Sequence, residues 1–248
     1  MINNYYNILG CPCYALLEKE VRNQLDSIFS AGSSGYTVAI NAEKILRYRK
    51  DKKLQEIIDS SILPYPDGSG AVLSLKWLHG VIAEKINMPV ISLEYADENS
   101  LKTFIVGGSE ANHKIAIQNI KYTHKNIELV GSLHGFHKID HILKQIDKTK
   151  PELILLAMGS PLQEEIAQLI IESSQKCLVI GCGGALDIIA GKLKRAPKFW
   201  IDNNLEWLFR ILQEPWRIQR QLFLPKFFYT LILTIIKKKL GFSNNRIT

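Results

Sequence analysis

Several short stretches of this sequence carry residue types able to do chemistry, and each follows an apolar run. Asn41 comes straight after YTVAI, and Asp67 sits in PDGSG after ILPY. Gly107 and Gly108 follow TFIV; Ser160, Pro161, Gln163 and Glu164 follow LILLAMG. Gly181, Gly183 and Gly184 close CLVI, with Asp187 next and then a basic loop of Lys192, Lys194, Arg195 and Lys198. A strand that runs into glycines and a helix presents backbone N–H groups to phosphate, and the cations after it suit the same ligand. A carboxylate on a glycine-flexible loop is either a catalytic group or a turn residue. Every one of these stretches also has a plain structural use. Asn41 can cap a helix. Pro-Asp-Gly is an ordinary turn. Ser160 before Pro161 reads as an N-cap with Glu164 completing it. A glycine cluster can simply pack a helix against a strand.

The elements that must position these residues can be read from periodicity. Leu16, Leu17, Val21, Leu25 and Ile28 have the spacing of an amphipathic helix over 16–30. Apolar runs at 36–40, 62–65, 103–106, 127–133, 151–157 and 177–181 read as strands, mostly followed by a turn and a helix. The stretch 42–61 reads as one helix with a basic middle, while 79–100 has no clear period. Such βα alternation predicts an α/β, Rossmann-like fold: a mostly parallel sheet with helices on both faces. Ligands of such sheets bind at the carboxyl ends of the strands. Asn41, Asp67, Gly107, Gly108, Ser160, Gln163, Glu164, Gly183 and Gly184 would then share one rim. The sequence divides into an α/β core over 1–200 and a C-terminal helical, membrane-proximal appendage over 201–248.

Composition narrows the class. The 248 residues, 46% hydrophobic and 22% charged, suit one large domain with an appendage, and the net charge of +7 favours anionic partners. Cys11, Cys13, Cys177 and Cys182 do not form a disulfide framework, and Cys11-Pro12-Cys13 is too tight for the common zinc spacing. His134 and His137 lack acidic or cysteine partners at ligand spacing, so no metal and no cofactor are expected. The N-terminus lacks the pattern of a signal peptide, and no stretch has the length of a spanning helix. The stretch 227–236 is apolar and ends in Lys237, Lys238 and Lys239, which suits a segment lying in an anionic membrane surface; a helix docked on the core is the alternative. A nicotinamide enzyme is disfavoured because GCGGAL at 181–186 lacks the GxGxxG spacing. A nucleic-acid binder is disfavoured because the basic residues lack interleaved aromatics.

Taken together, VAINAEKIL (38–46), PDGSGAV (66–72), FIVGG (104–108), AMGSPLQE (157–164), GCGGALDIIAGKLKRAPK (181–198) and LEWLFRILQEPWRIQRQ (205–221) resemble the WecG/TagA/CpsF glycosyltransferases. The matches run in family order over nearly the whole chain, and the wording looks most like the WecG branch. The resemblance implies transfer of an N-acetylmannosamine-type sugar, N-acetylmannosaminuronic acid for the WecG branch, from a UDP-sugar donor. The implied acceptor is a polyprenyl-diphosphate-linked N-acetylglucosamine at the cytoplasmic face of the plasma membrane. It also implies roles: Asp67 as general base, and Arg210, Arg217 and Arg220 closing over the departing diphosphate. Asn41, Gly107, Gly108, Ser160, Gln163, Glu164, Gly183, Gly184, Asp187, Lys194 and Arg195 would contact substrate. Spaced by seven and three, the three arginines would line one side of a continuous helix unless Pro215 splits it. One departure stands out. The family's arginine- and glycine-containing element after the PDG helix is missing from 81–99, where Lys85 is the substitute cation. The oligomeric state, a homo-oligomer included, is left open. A chain cut after about Asn203 is expected to be a more soluble core that still binds UDP but transfers sugar poorly.

Overall fold

Each apolar run pairs edge to edge with its neighbours in a computed structural model that describes residues 4–173, 176–194, 196–202, 205–215, 218 and 222–240. The chain begins with an antiparallel hairpin, β1 (Tyr5–Ile8) and β2 (Cys11–Tyr14), and then α1 (Glu18–Ser30). There follow β3 (Gly35–Ile40), α2 (Ala42–Tyr48), α3 (Lys52–Asp59), β4 (Leu63–Pro66), α4 (Ser69–His79) and α5 (Met88–Glu98). The second half holds β5 (Lys102–Gly107), α6 (Glu110–Thr123), β6 (Glu128–Leu133), α7 (Ile139–Thr149), β7 (Leu153–Ala157), α8 (Leu162–Glu172) and β8 (Leu178–Gly181). It closes with α9 (Ala185–Ile189), α10 (Lys198–Asp202), α11 (Glu206–Gln213) and α12 (Leu224–Lys239).

Strands β3 to β8 form one six-stranded parallel sheet in the order β4-β3-β8-β7-β5-β6. Alternation along the strands feeds two cores. Tyr36, Val38, Ile40, Phe104, Val106, Ile154, Leu156 and Val179 face a core shared with α2, α3, α4, α8 and α12. Ile105, Leu153, Leu155, Leu178 and Ile180 face the other, with α1, α5 and α6. This is the expected α/β, Rossmann-like sheet covered on both faces. Chain direction reverses between β5, which leads outward to β6, and β7, which leads back to β8. A second divergence lies between β3 and β8. Crevices open at such points on the carboxyl edge.

Three local departures have physical causes. The helix expected over 42–61 breaks at Arg49, and Asp51 starts α3 by accepting a hydrogen bond from the Leu54 N–H at 3.1 Å. The unreadable stretch 79–100 holds α5, whose buried Met88, Ile91, Ser92, Leu93, Tyr95 and Ala96 surround the helix and erase its periodicity. Ser160 is not an N-cap. The peptide bond to Pro161 is cis, Ser160 is exposed, and α8 starts at Leu162 with Pro161 in the cap position.

The C-terminal helix α12 packs its inner side on α2 and α4. Phe227 and Leu231 are fully buried, and the Phe227 ring lies so close to Gly70 that an added Cβ would sit 3.3 Å from it. Half of α12 is therefore the docked core helix that sequence offered as the alternative to a membrane-surface segment. Its other half is considered below. Among the described residues no helix is long and apolar enough to cross a membrane.

Candidate functional site

Asp67 is placed by two backbone features. Its N–H donates to the Ile40 carbonyl at 2.8 Å, extending the β3–β4 pairing by one residue beyond the end of β4. Gly68 then turns the chain with φ +86°, a conformation that side chains resist, so the strand hands over to α4 in one step. Asp67 is thus held at the rim, partly buried. Burial pushes its carboxyl above the ordinary aspartate value, while the charges of Arg210, Lys44 and Lys85 pull it back and that of Glu206 adds to the rise. Its side chain makes no hydrogen bond with a described residue.

The cations around Asp67 belong to two networks. In the outer one, Glu206 of α11 takes a short hydrogen-bonded ion pair from Lys85 and a second from Arg210 at 3.1 Å. Burial opposes ionisation of Glu206, yet the Lys85 hydrogen bond and the two positive charges hold its pKa below the usual glutamate value. Lys85, the substitute cation that the sequence offered within 81–99, is committed to α11. In the inner network, the Lys44 ammonium donates to Glu164 at 2.6 Å and to the Ala39 carbonyl at 2.9 Å. Asn41 caps α2 by accepting from the Lys44 N–H at 2.9 Å. Gln163 donates to Glu164 at 3.3 Å, and its carbonyl oxygen accepts from the Gly183 N–H at 3.0 Å. One chain of hydrogen bonds thus runs from the end of β3, through the start of α8, to the glycine turn after β8. Gln163 and Glu164, 5% and 3% exposed, lie under the rim rather than lining the crevice. Sequence reading missed Lys44, because a lysine in a basic helix reads as solvated and its partner is remote in the chain. Glu206 was missed as well.

At the other crevice Gly107 is indispensable. With φ +132°, a Cβ there would lie 2.2 Å from the Ala157 carbonyl oxygen, so β5 and β7 approach as only glycine permits. Gly108 follows, and Ser109 caps α6 at the Asn112 N–H. His113 is buried with Nδ1 2.8 Å from the Gly107 carbonyl and Nε2 without a partner among the described residues. Burial lowers its pKa, against the hydrogen bond to Gly107 and with the charges of His134 and His137. His134 and His137 stack at 4.0 Å as loop residues, and among the described residues no group of His, Cys, Asp or Glu has the arrangement of a metal site.

The segment after β8 closes the arrangement. Asp187 accepts from Asn112 at 2.6 Å and so ties α9 to α6. The basic loop is pinned to α11, since the Lys194 N–H and carbonyl both hydrogen-bond the Gln213 amide, at 2.9 and 3.0 Å. Arg210 lines a small cleft with Gly184, Ile188, Leu193, Lys194, Gln213 and Glu214. Arg210 therefore stands between Asp67 and the glycine turn. α11, which carries Arg210, ends at Gln213, ahead of Pro215. Arg195, Arg217 and Arg220 lie outside the described residues.

A carboxylate of raised pKa, a cation facing it and glycine turns on one rim are the parts of a group transfer to a hydroxyl. The comparison of sequences agrees: the model of the glycosyl transferase WecG/TagA/CpsF family matches residues 6–241. The chain belongs to that family. It is therefore a glycosyltransferase of a family that serves cell-surface polysaccharide synthesis, acting between a sugar donor and a lipid-linked acceptor. The matched range takes in every strand of the parallel sheet and α11, which carries Glu206 and Arg210.

Proposed function

We propose that the chain transfers an N-acetylmannosamine-type sugar, N-acetylmannosaminuronic acid first among them, from UDP to a polyprenyl-diphosphate-linked N-acetylglucosamine. The observation that carries this is the meeting of Asp67 and Arg210 at one rim. Asp67 accepts the proton of the acceptor hydroxyl as that oxygen attacks the anomeric carbon and the sugar–phosphate bond breaks. A carboxyl raised by burial is a stronger base than an exposed one, and the charges of Arg210, Lys44 and Lys85 favour its ionised form. The leaving UDP takes the negative charge, which Arg210 would meet, with Arg217 and Arg220 proposed to join it. The cationic side chains fill the role that a metal has in other transferases, and no metal is proposed.

The same reading puts the protein on the inner face of the plasma membrane, where such an acceptor is anchored. The outward side of α12 supports it. Tyr229, Ile232 and Ile236 are 66, 49 and 46% exposed, and Leu233 and Leu240 are exposed beside them. An apolar stripe bordered by Lys226, Lys237 and Lys239 suits a helix lying in the interface. The test of the whole reading is UDP release by the purified full chain, given a panel of UDP-sugars and a lipid-diphosphate N-acetylglucosamine analogue. Release that depends on both a UDP-N-acetylmannosamine-type donor and the acceptor is expected. Release with another UDP-sugar only would replace the donor, and none with any pair would remove the reading.

A further inference from the structure

A cationic groove lies between the α2–α3 elbow and α12, beside the apolar stripe and built from different residues than the rim. It encloses about 490 Å³ and is lined by Leu46, Arg47, Arg49, Lys50, Asp51, Phe223, Lys226 and Thr230. That volume falls within the roughly 300–1,000 Å³ of small-molecule sites, far more than an inorganic ion fills. Arg47 is occupied, pairing with Asp51 at 2.8 Å and Glu43 at 3.8 Å. Arg49, Lys50 and Lys226 are exposed and have no ion pair with a described residue. Like charges gathered in one groove repel until an anion enters. By the helix repeat, Lys226 and Thr230 lie on the flank of α12 between its buried Phe227–Leu231 side and its outward Tyr229–Ile232–Ile236 side. The groove therefore runs alongside the stripe. Phe223 and Leu46 supply apolar wall next to the cations.

We propose that this groove is a headgroup site for an anionic phospholipid. The phosphodiester meets Arg49, Lys50 and Lys226, the glycerol unit lies against Phe223 and Leu46, and the acyl chains pass onto the stripe of α12. Both charge and apolar wall are needed for such a ligand, which is why a lipid is favoured over a soluble anion. The proposal rests on the membrane-facing part of the functional reading and not on its sugar chemistry.

The experiment is co-sedimentation of the full chain with phosphatidylcholine vesicles, with and without phosphatidylglycerol. The variant Arg49→Gln/Lys50→Gln/Lys226→Gln is compared with Lys121→Gln/Lys125→Gln/Lys144→Gln, which removes equal charge from exposed positions on and after α6 and on α7. Each groove cation near an anionic surface contributes about fivefold to binding, so the groove variant should lose roughly a hundredfold in affinity for phosphatidylglycerol vesicles. The control should lose less than about fivefold. Thermal melts check that both variants stay folded. An equal loss in the control would make the attraction one of net charge and overturn the groove. Inorganic phosphate or glycerol phosphate binding the groove as tightly as vesicles would make it the site of a soluble anion. Intact protein that ignores phosphatidylglycerol would remove the proposal. UDP release with a short, water-soluble acceptor is measured on the same samples. Groove-dependent vesicle binding without any release would sink the transferase reading and leave the lipid site, and release without groove dependence would do the reverse.

Discussion

The two ion networks that face Asp67 differ in how much water reaches them. Lys44 and Glu164 are 5% and 3% exposed, whereas Lys85, Glu206 and Arg210 of the outer network are 33, 19 and 47% exposed. A buried pair is costly to form and more costly to break, because removing one partner strands the other charge. A partly exposed pair is screened and contributes little to stability. The inner network therefore fixes the rim, tying β3, α8 and the glycine turn into one unit. On the proposed function, the outer network would part and re-form as substrate arrives, because it holds Arg210, the arginine proposed to meet the leaving group.

The largest effect should come from the residue between the networks. Asp67→Asn is expected to cost roughly 100- to 10,000-fold in transfer rate, with UDP affinity and folding nearly unchanged, read by UDP release and by titration of UDP. Turnover within a few-fold of the parent would leave Asp67 a turn residue. Next in size, Lys44→Met strands the Glu164 carboxylate and should destabilise the fold by about 3–5 kcal/mol in urea unfolding. Adding Glu164→Met to it should restore most of that loss. A Lys44→Met protein as stable as the parent would mean the inner pair fixes nothing.

Lys85→Met tests the outer network and should behave differently. Its stability should change by no more than about 1 kcal/mol. Its pH profile should move. Burial raises the Asp67 pKa and Lys85 lowers it, so without Lys85 the carboxyl stays protonated to higher pH. The acidic limb of kcat/KM should accordingly shift to higher pH, and a shift to lower pH would contradict the geometry. The smallest effect concerns Glu206, whose pKa is depressed in the fold. Its contribution is present above the ordinary glutamate pKa and is lost as pH falls through the lower, folded value. Acid titration should release α11 from the rim only below the usual glutamate range, a change that Trp207 fluorescence would follow.

Much of this was legible in the sequence where local pattern and final role coincide. Strands ending in glycine, with motif residues just past them, gave the sheet and the carboxyl edge at which Asp67 stands, because βα units write that edge into short windows. The hairpin β1–β2 was not legible. Its turn puts Leu9 at φ +54°, a place where sequence signals call for Asn or Gly, and holds it through Asn7 hydrogen bonds to Gly10. The Lys44–Glu164 pair was equally hidden, since nothing near either residue announces a partner across the sheet. Ser160-Pro161 misled because its wording fits a helix start, whereas the bond is cis and the helix begins one residue later.

Phe227 and Leu231 of α12 complete the core formed by α2 and α4, so the interior stays open to water until α12 has been made. On a ribosome, the sheet and its rim would emerge first and wait with Ala42 and Gly70 uncovered. The helix that covers them carries the apolar stripe on its other side. On the proposed membrane reading, folding to completion and acquiring an affinity for lipid would be a single event. Cutting the chain near Asn203, expected from sequence to yield a more soluble core, should instead leave a permanently unfinished one that chaperones retain. Solubility is better sought by replacing Tyr229, Ile232 and Ile236 with polar residues while leaving Phe227 and Leu231 in place.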